Sequence, residues 1–168
     1  MYSSMKRFSK IQFLFLAIPC LVFSCIDRPE FPSEPYIELK DFYILTDQQT
    51  GKDQAVIVLS FTDGEGDIGL SENDTVYPFQ REGDYYNNFI MNILKKEGTD
   101  TLRLEYNLRI PPINPDEYEQ PLSGEIYVEI QVDILRAVLP DNKFQFEVFI
   151  YDKALNRSNM LTSPVYLL

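Results

Sequence analysis

Several residue types that catalysis relies on are scarce or missing in this chain. It contains no histidine and no tryptophan, and its two cysteines, Cys20 and Cys25, both lie near the N-terminus. The rest of the chain therefore has no thiol and no disulfide. Since no serine stands in a nucleophile-elbow context either, the common nucleophiles and bases are missing, and we predict that the protein is not an enzyme. Paired carboxylates are the one catalytic chemistry that this composition leaves open.

Positive charge is also in short supply. The chain has 15 lysines and arginines against 26 aspartates and glutamates, a formal net charge of −11. Proteins that bind nucleic acid need basic patches to neutralise phosphates, so this acidity predicts no nucleic-acid partner. It suits a protein that stays soluble beside an anionic surface and uses divalent cations.

The first 24 residues have the pattern of a signal peptide. Lys6, Arg7 and Lys10 precede an apolar run over residues 11–23. As a helix this run would rise about 20 Å, short of the roughly 30 Å hydrocarbon core of a bilayer. The run ends at Val22, Phe23, Ser24 and Cys25, which resemble a bacterial lipobox. We therefore predict a lipoprotein signal peptide over residues 1–24 and lipidation of Cys25, which would anchor the protein in a membrane; ordinary secretory cleavage is the alternative.

Residues 25–35 are predicted to form a tether between the lipidated cysteine and a folded domain. The segment is rich in proline and acidic residues: Pro29, Pro32, Pro35, Asp27, Glu30 and Glu34. Proline fixes φ and removes backbone donors, which favours an extended chain. The folded domain is then expected over residues 36–168, which is long enough for one hydrophobic core.

Alternation of apolar and polar residues with a period of two dominates the predicted domain. Such alternation is typical of antiparallel strands with one buried face. The runs lie at residues 36–45, 55–61, 89–95, 102–110, 126–134, 144–151 and 162–168. About seven short strands, with no amphipathic helix of useful length, predict an all-β, immunoglobulin-like antiparallel β-sandwich. An up-and-down barrel is the alternative if residues 76–79 form a further strand.

An acidic, glycine-rich segment follows the second predicted strand. Asp63, Glu65 and Asp67 alternate with Gly64 and Gly66, and the glycines let the backbone wrap around one centre. Calcium often takes oxygens from alternate positions of such a loop. Ile68 stands where an EF-hand requires glycine, so the segment is not an EF-hand. We predict either a calcium site or a solvated acidic turn.

A second motif follows the aromatic strand 144–151. Asp152, Ala154, Asn156 and Ser158 are spaced like the hairpin of bacterial immunoglobulin-like and fibronectin-type-III-like domains. Together with the segment 61–70, this motif resembles a group of Bacteroidota lipoproteins whose acidic loop reads close to FTDGDGDIG. The resemblance implies an outer-membrane lipoprotein that faces the periplasm or the cell surface. It implies no function that can be carried over.

The predicted sandwich brings these two motifs together. If residues 55–61 and 144–150 are the second and sixth strands of such a sandwich, the loops that follow them lie at the same end. Asp152 would then lie near Asp63. The predicted metal ligands are therefore Asp63, Glu65, Asp67, Asp74 and Asp152, and the alternative role of the Asp152 turn is local hydrogen bonding.

A candidate ligand-binding segment lies ahead of the third strand. Tyr85, Tyr86 and Asn87 combine aromatic rings that stack on sugars with an amide that reads hydroxyl groups. The alternative is that the tyrosines start a strand, and the lack of tryptophan weakens the case for glycan binding. The sequence thus predicts a lipid-anchored binding or structural module at the bacterial envelope, stabilised by calcium, whose partner is an envelope protein or a glycan. The alternative is a surface glycan-binding accessory lipoprotein.

Overall fold

Antiparallel strands dominate the computed structural model, which describes residues 30–113 and 120–168. Within these residues the strands are β1 (Tyr36–Thr46), β2 (Asp53–Asp63), β3 (Phe89–Glu97), β4 (Asp100–Glu105), β5 (Leu122–Gln131), β6 (Lys143–Phe144), β7 (Phe146–Ile150), β8 (Leu161–Thr162) and β9 (Tyr166–Leu167). One short helix, α1 (Val132–Val138), follows β5. The predicted signal peptide and Cys25 lie outside the described residues.

Two sheets carry the architecture. One has the order β1-β2-β5, the other has the order β4-β3-β7-β8, and the short pair β6-β9 lies beside them. If β4 is lettered C′ and the short β6 is left out, the sheets are A-B-E and C′-C-F-G, which keeps the A-B-E and C-F-G groups of immunoglobulin-like domains. The predicted all-β sandwich is therefore confirmed. Residues 76–79 form turns, so they do not supply the strand that the barrel alternative required.

The core lies between the two main sheets. Alternate residues of β2, including Ile57 and Leu59, are fully buried, and they face fully buried residues of β3 and β7 such as Met91 and Phe146. The alternation read from the sequence thus assigns the inward faces correctly. On the outer face of β2, Val56 is also buried, because β2 is the central strand and its neighbours cover it.

The prediction that the fifth strand continues to residue 134 is wrong. The strand ends at Gln131, and α1 begins at Val132. Val132 and Leu135, three positions apart, are both buried, whereas Ile134 is 54% exposed. This spacing places one apolar face of a helical turn on the core. Val132 fits both the strand period and the helix period, so continuing the strand period by two residues places Ile134 wrongly on the buried face.

The last predicted strands are interrupted, which raises the strand count in the described residues to nine. Residues 144–151 divide at Gln145, since Phe144 pairs with β9 whereas Phe146 to Ile150 pair with β3 and β8. Residues 162–168 divide at Pro164, which has no amide hydrogen to give to a ladder. The fourth predicted strand ends at Glu105 rather than at residue 110. Beyond it, the Asn107 side chain accepts a hydrogen bond from the Met91 amide of the neighbouring strand.

The described part of the predicted tether lies against the sandwich. Pro35 is buried and Phe31 is partly buried. The Gly64 amide donates a hydrogen bond of 2.8 Å to the Pro32 carbonyl. Residues 31–35 therefore pack on the end of the domain rather than standing clear of it. Among the described residues, no helix is both long and apolar enough to cross a bilayer.

Candidate metal centre

Three aspartates meet at the end of the sandwich where β2 and β7 finish. Asp63 is the last residue of β2, and Asp152 lies two residues beyond β7. One carboxylate oxygen each from Asp63, Asp67 and Asp152 lies within 4.8 Å of the other two. The expectation that Asp152 lies near Asp63 is thus confirmed, and it follows from the two strands running toward the same end of facing sheets.

The acidic loop curls back on its first residue. The Asp67 amide donates a 2.9 Å hydrogen bond to Oδ2 of Asp63, which closes the turn. Gly66 adopts a φ of 71°, a left-handed conformation that glycine accepts without strain. It also lies so close to another segment that an added Cβ would be 2.0 Å from the Gln120 carbonyl oxygen. Glycine is therefore required there both for the curl and for the contact.

The Asp152 turn is held by the hydrogen bonds that its alternative role predicts. Oδ1 of Asp152 accepts a 2.7 Å bond from the Asn156 amide, and Oδ2 accepts a 2.9 Å bond from the Asn156 side chain. The two loops are also joined, since the Ala154 amide donates to Oδ2 of Asp67 over 3.1 Å. These bonds position the Asp152 carboxylate beside the acidic loop, so local turn bonding and convergence of carboxylates occur together.

Burial and mutual repulsion raise the proton affinity of the cluster. Asp63 and Asp152 have no exposed surface. Burial, followed by the charge of Asp67, raises the pKa of Asp63 from 3.8 to about 6. Burial is also the main reason that the pKa of Asp152 rises to about 6, with further repulsion from Asp67 and Glu65. Desolvated carboxylates favour the protonated form unless a positive charge compensates them.

Two oxygens of the cluster have no hydrogen-bond partner. Oδ1 of Asp63 and Oδ1 of Asp67 are both buried without a donor. A buried, unpaired carboxylate oxygen is costly, so native proteins usually supply a donor or a cation. The nearby ammonium of Lys153 pairs with Asp74 instead, at 3.2 Å. Asp63, Asp67 and Asp152 are therefore the described residues that could hold a metal ion.

The other two predicted ligands lie outside the triad. Glu65 is exposed at the rim, where its Oε2 accepts a 3.4 Å bond from the Asn156 side chain. Asp74 accepts a 2.7 Å bond from the Ser71 amide and pairs with Lys153. Burial alone would raise the pKa of Asp74, but the Ser71 bond and the Lys153 charge hold that pKa below its ordinary value. The charge of Asp74 is thus already compensated by Lys153 and by the Ser71 amide within its own turn.

The predicted ligand-binding segment is mostly engaged in packing. Tyr85 meets the edge of Tyr151 at 5.2 Å between ring centroids, and Asn87 is partly buried. The Arg109 guanidinium lies 4.8 Å from the centre of the Tyr86 ring. Tyr86 also lines an open groove of about 450 Å³ with Arg109, Arg81 and their neighbours. All three predicted residues precede β3, which begins at Phe89, so they do not start that strand.

Two residues that are not among the predicted site residues organise this region. Asn88 is buried, and its Oδ1 accepts a 2.7 Å bond from the Ile110 amide while its Nδ2 donates to the Tyr151 carbonyl. Arg109 donates to the Ser71 and Asp74 carbonyls at 2.9 and 2.8 Å, and also to the Tyr86 carbonyl. Asn88 directly precedes an apolar strand, and a polar residue at such a position is only a weak signal in the sequence.

No protein-family model, curated protein or solved structure matches this chain.

Proposed function

We propose that this protein is a non-catalytic binding or structural module, held at the bacterial outer membrane by a lipid on Cys25 and stabilised by calcium at Asp63, Asp67 and Asp152. The observation that carries the calcium proposal is the convergence of three carboxylates with two buried oxygens that lack a donor. The lipobox-like residues 22–25 support the anchor. The partner would be an envelope protein or a glycan.

The geometry of the triad is compatible with calcium. Calcium bonds oxygen at about 2.3–2.6 Å, so two oxygens on opposite sides of one ion are about 5 Å apart. The carboxylate oxygens of the triad lie within 4.8 Å of one another, so a single ion between them would bond all three with a closure of at most a few tenths of an ångström. Calcium also takes six to eight oxygens in flexible arrangements. Glu65 at the rim, backbone carbonyls and water would complete the shell without further convergence of side chains.

The burial of the centre supports a structural role for the cation. Asp63 and Asp152 are fully covered, which leaves a substrate little access to an ion between them. A cation there would instead neutralise repelling charges and join the loop after β2 to the loop after β7. Because those strands belong to different sheets, the ion would link the two layers of the sandwich.

Glycan binding is the second candidate function, and the groove beside Tyr86 favours it. The groove offers an aromatic residue, two arginines and the hydroxyl of Thr75, which are groups that recognise sugars. A polysaccharide affinity gel tests this role. Retardation of the wild type but not of Tyr86→Ala would support it, and unretarded migration on all gels would contradict it.

Calcium titration tests the main proposal. The full chain, purified in detergent, should bind about one calcium ion by isothermal titration calorimetry, and its melting temperature should fall when a chelator is added. Asp63→Asn should abolish the binding, while Glu129→Gln, an exposed carboxylate on β5, should leave it intact. Absence of binding by the wild type would contradict the calcium role. Incorporation of labelled palmitate that is lost in Cys25→Ser tests the anchor separately.

A further inference from the structure

The segment that leads from the predicted anchor into the domain lies directly on the acidic loop. The Gly64 amide donates a 2.8 Å hydrogen bond to the Pro32 carbonyl. The two backbones are so close that a Cβ at Gly64 would lie 2.3 Å from the Phe31 carbonyl oxygen. Pro35, further along the same segment, is buried. Residues 31–35, which we call the docking segment, therefore depend on the position of Gly64.

Gly64 in turn lies within residues 63–67, which we call the arc and which carry two of the three carboxylates. Asp63 precedes it, Asp67 follows three residues later, and the Asp67 amide is bonded back to Asp63. On the same arc, Gly66 touches the Gln120 carbonyl. Movement of the two carboxylates away from each other would therefore shift the surface on which the docking segment rests.

Electrostatics decides whether the arc keeps this position. Without a cation, three carboxylates whose oxygens lie within 4.8 Å repel one another, and burial strengthens the repulsion. A cation between them replaces repulsion with attraction and holds the arc closed. The contact with Pro32 is a single backbone hydrogen bond beside a close-packed glycine, so it is easily lost when the arc shifts.

We propose that cation binding at Asp63, Asp67 and Asp152 docks residues 31–35 on the domain and that removal of the cation releases them. This inference rests on the proposed calcium site and adds a regulatory role to it. Calcium would then control how the domain is held relative to its lipid anchor: close to the anchor in calcium, and on a longer free tether without it. The length of chain that the release adds is at most about 17 Å for five extended residues.

The absence of tryptophan provides a clean reporter. The chain contains none, and Phe31 is partly buried in the docking segment, so Phe31→Trp in the full chain places one tryptophan at the contact. With calcium, its emission should shift to shorter wavelength and acrylamide quenching should fall about threefold relative to chelator, since a docked ring is shielded from solvent. The midpoint of this change should match the calcium-binding midpoint from calorimetry.

Gly64→Ala in the Phe31→Trp background separates docking from binding. The added Cβ collides with the docking segment but removes no carboxylate, so calcium should still bind while the tryptophan remains in its released state. Gly51→Ala is the control, because Gly51 lies in the turn between β1 and β2, at the opposite end of β2 from Asp63, and an added Cβ meets nothing within 4 Å there. Since the φ of Gly51 is 67°, this substitution strains its own turn, so it also shows whether backbone strain elsewhere in the domain changes the signal. Gly51→Ala should keep the calcium-dependent shift.

The outcomes distinguish the two proposals. Absence of calcium binding by the wild type removes both. Calcium binding with an unchanged tryptophan signal overturns the docking inference alone, and so does a Gly64→Ala protein that keeps the calcium-dependent shift. If either variant fails to fold, cleavage of the wild type by a glutamate-specific protease after Glu30 decides. Cleavage should be about tenfold slower in calcium than in chelator, and equal rates would overturn the inference.

Discussion

Replacing Asp67 by asparagine should change the stability of the protein in opposite directions with and without calcium. The substitution removes one of the three charges of the cluster while preserving the size of the side chain. Its amide oxygen can still accept the bond from the Ala154 amide, and its NH₂ group replaces Oδ1, a buried atom that already lacks a partner in the wild type. The change therefore removes repulsion while keeping the hydrogen bond that Asp67 makes to the Asp152 turn.

The size of the effect without calcium follows from the neighbours of Asp67. Two unit charges separated by 4.8 Å, the upper limit for the oxygens of the cluster, repel by about 3.5 kcal/mol at an effective dielectric constant of about 20. The pKa of Asp63 rises from 3.8 to about 6, and Asp67 is the second cause after burial. That rise corresponds to about 3 kcal/mol, of which the charge of Asp67 supplies a part. In chelator at pH 8 we therefore expect Asp67→Asn to raise the free energy of unfolding by about 1 kcal/mol.

With calcium the sign should reverse. A ligand present at 100 times its dissociation constant stabilises the folded state by about 2.7 kcal/mol. Asp67→Asn should lose most of this contribution because it loses a charged ligand. After the gain of about 1 kcal/mol is subtracted, the variant should be about 1.5 kcal/mol less stable than the wild type in calcium.

Urea denaturation followed by circular dichroism, in calcium and in chelator, measures both values. Glu129→Gln is the matched control, since it removes one exposed carboxylate from β5 and should change stability equally little in both buffers. A variant that is destabilised to the same extent in both buffers would contradict the reasoning, because Asp67 would then act through its hydrogen bond and not through its charge.

Three further predictions concern the cluster and the fold. Because the folded-state pKa of Asp63 and of Asp152 lies near 6, above the ordinary 3.8, the calcium-free folded protein binds more protons than the unfolded chain in this window, so its free energy of unfolding should fall as the pH rises from 4.5 to 7. Melting curves of the wild type and of Asp63→Asn measure this slope: the wild type should become less stable relative to Asp63→Asn as the pH rises, and a wild type that becomes more stable relative to the variant would contradict the reasoning. Asn88→Ala should lower the free energy of unfolding by about 2 kcal/mol, because it removes the partners of the buried Ile110 amide and the partly buried Tyr151 carbonyl. A loss below about 0.5 kcal/mol in urea would contradict that role. Leu135→Ala should cost about 3 kcal/mol and the adjacent Ile134→Ala far less, since Leu135 is fully buried and Ile134 is 54% exposed; equal losses in thermal melts would contradict the placement of α1.

The strands and their inward faces could be read from the sequence because burial acts locally on them. A strand between a core and solvent buries every second residue, as β7 does along its whole length and β3 does over residues 89–93. β2 keeps its predicted inward face, but residues 55–59 are buried on both faces because β2 is the central strand of its sheet. The same rule failed at residues 132–134, where Val132 satisfies the strand period and the helix period equally. It also failed to show that β6 and β7 lie in different sheets, since a strand that changes partners keeps its alternation.

The sequence by itself determined that the acidic loop follows one strand and the Asp152 turn follows another, and that a sandwich brings the two to one end. Only the tertiary structure decided which carboxylates meet there. Asp63, Asp67 and Asp152 converge, whereas Asp74 is neutralised by Lys153 and Glu65 remains at the rim. The physical reason is that glycines and acidic residues allow many loop conformations, and the choice among them depends on distant partners such as Pro32, Gln120 and Ala154.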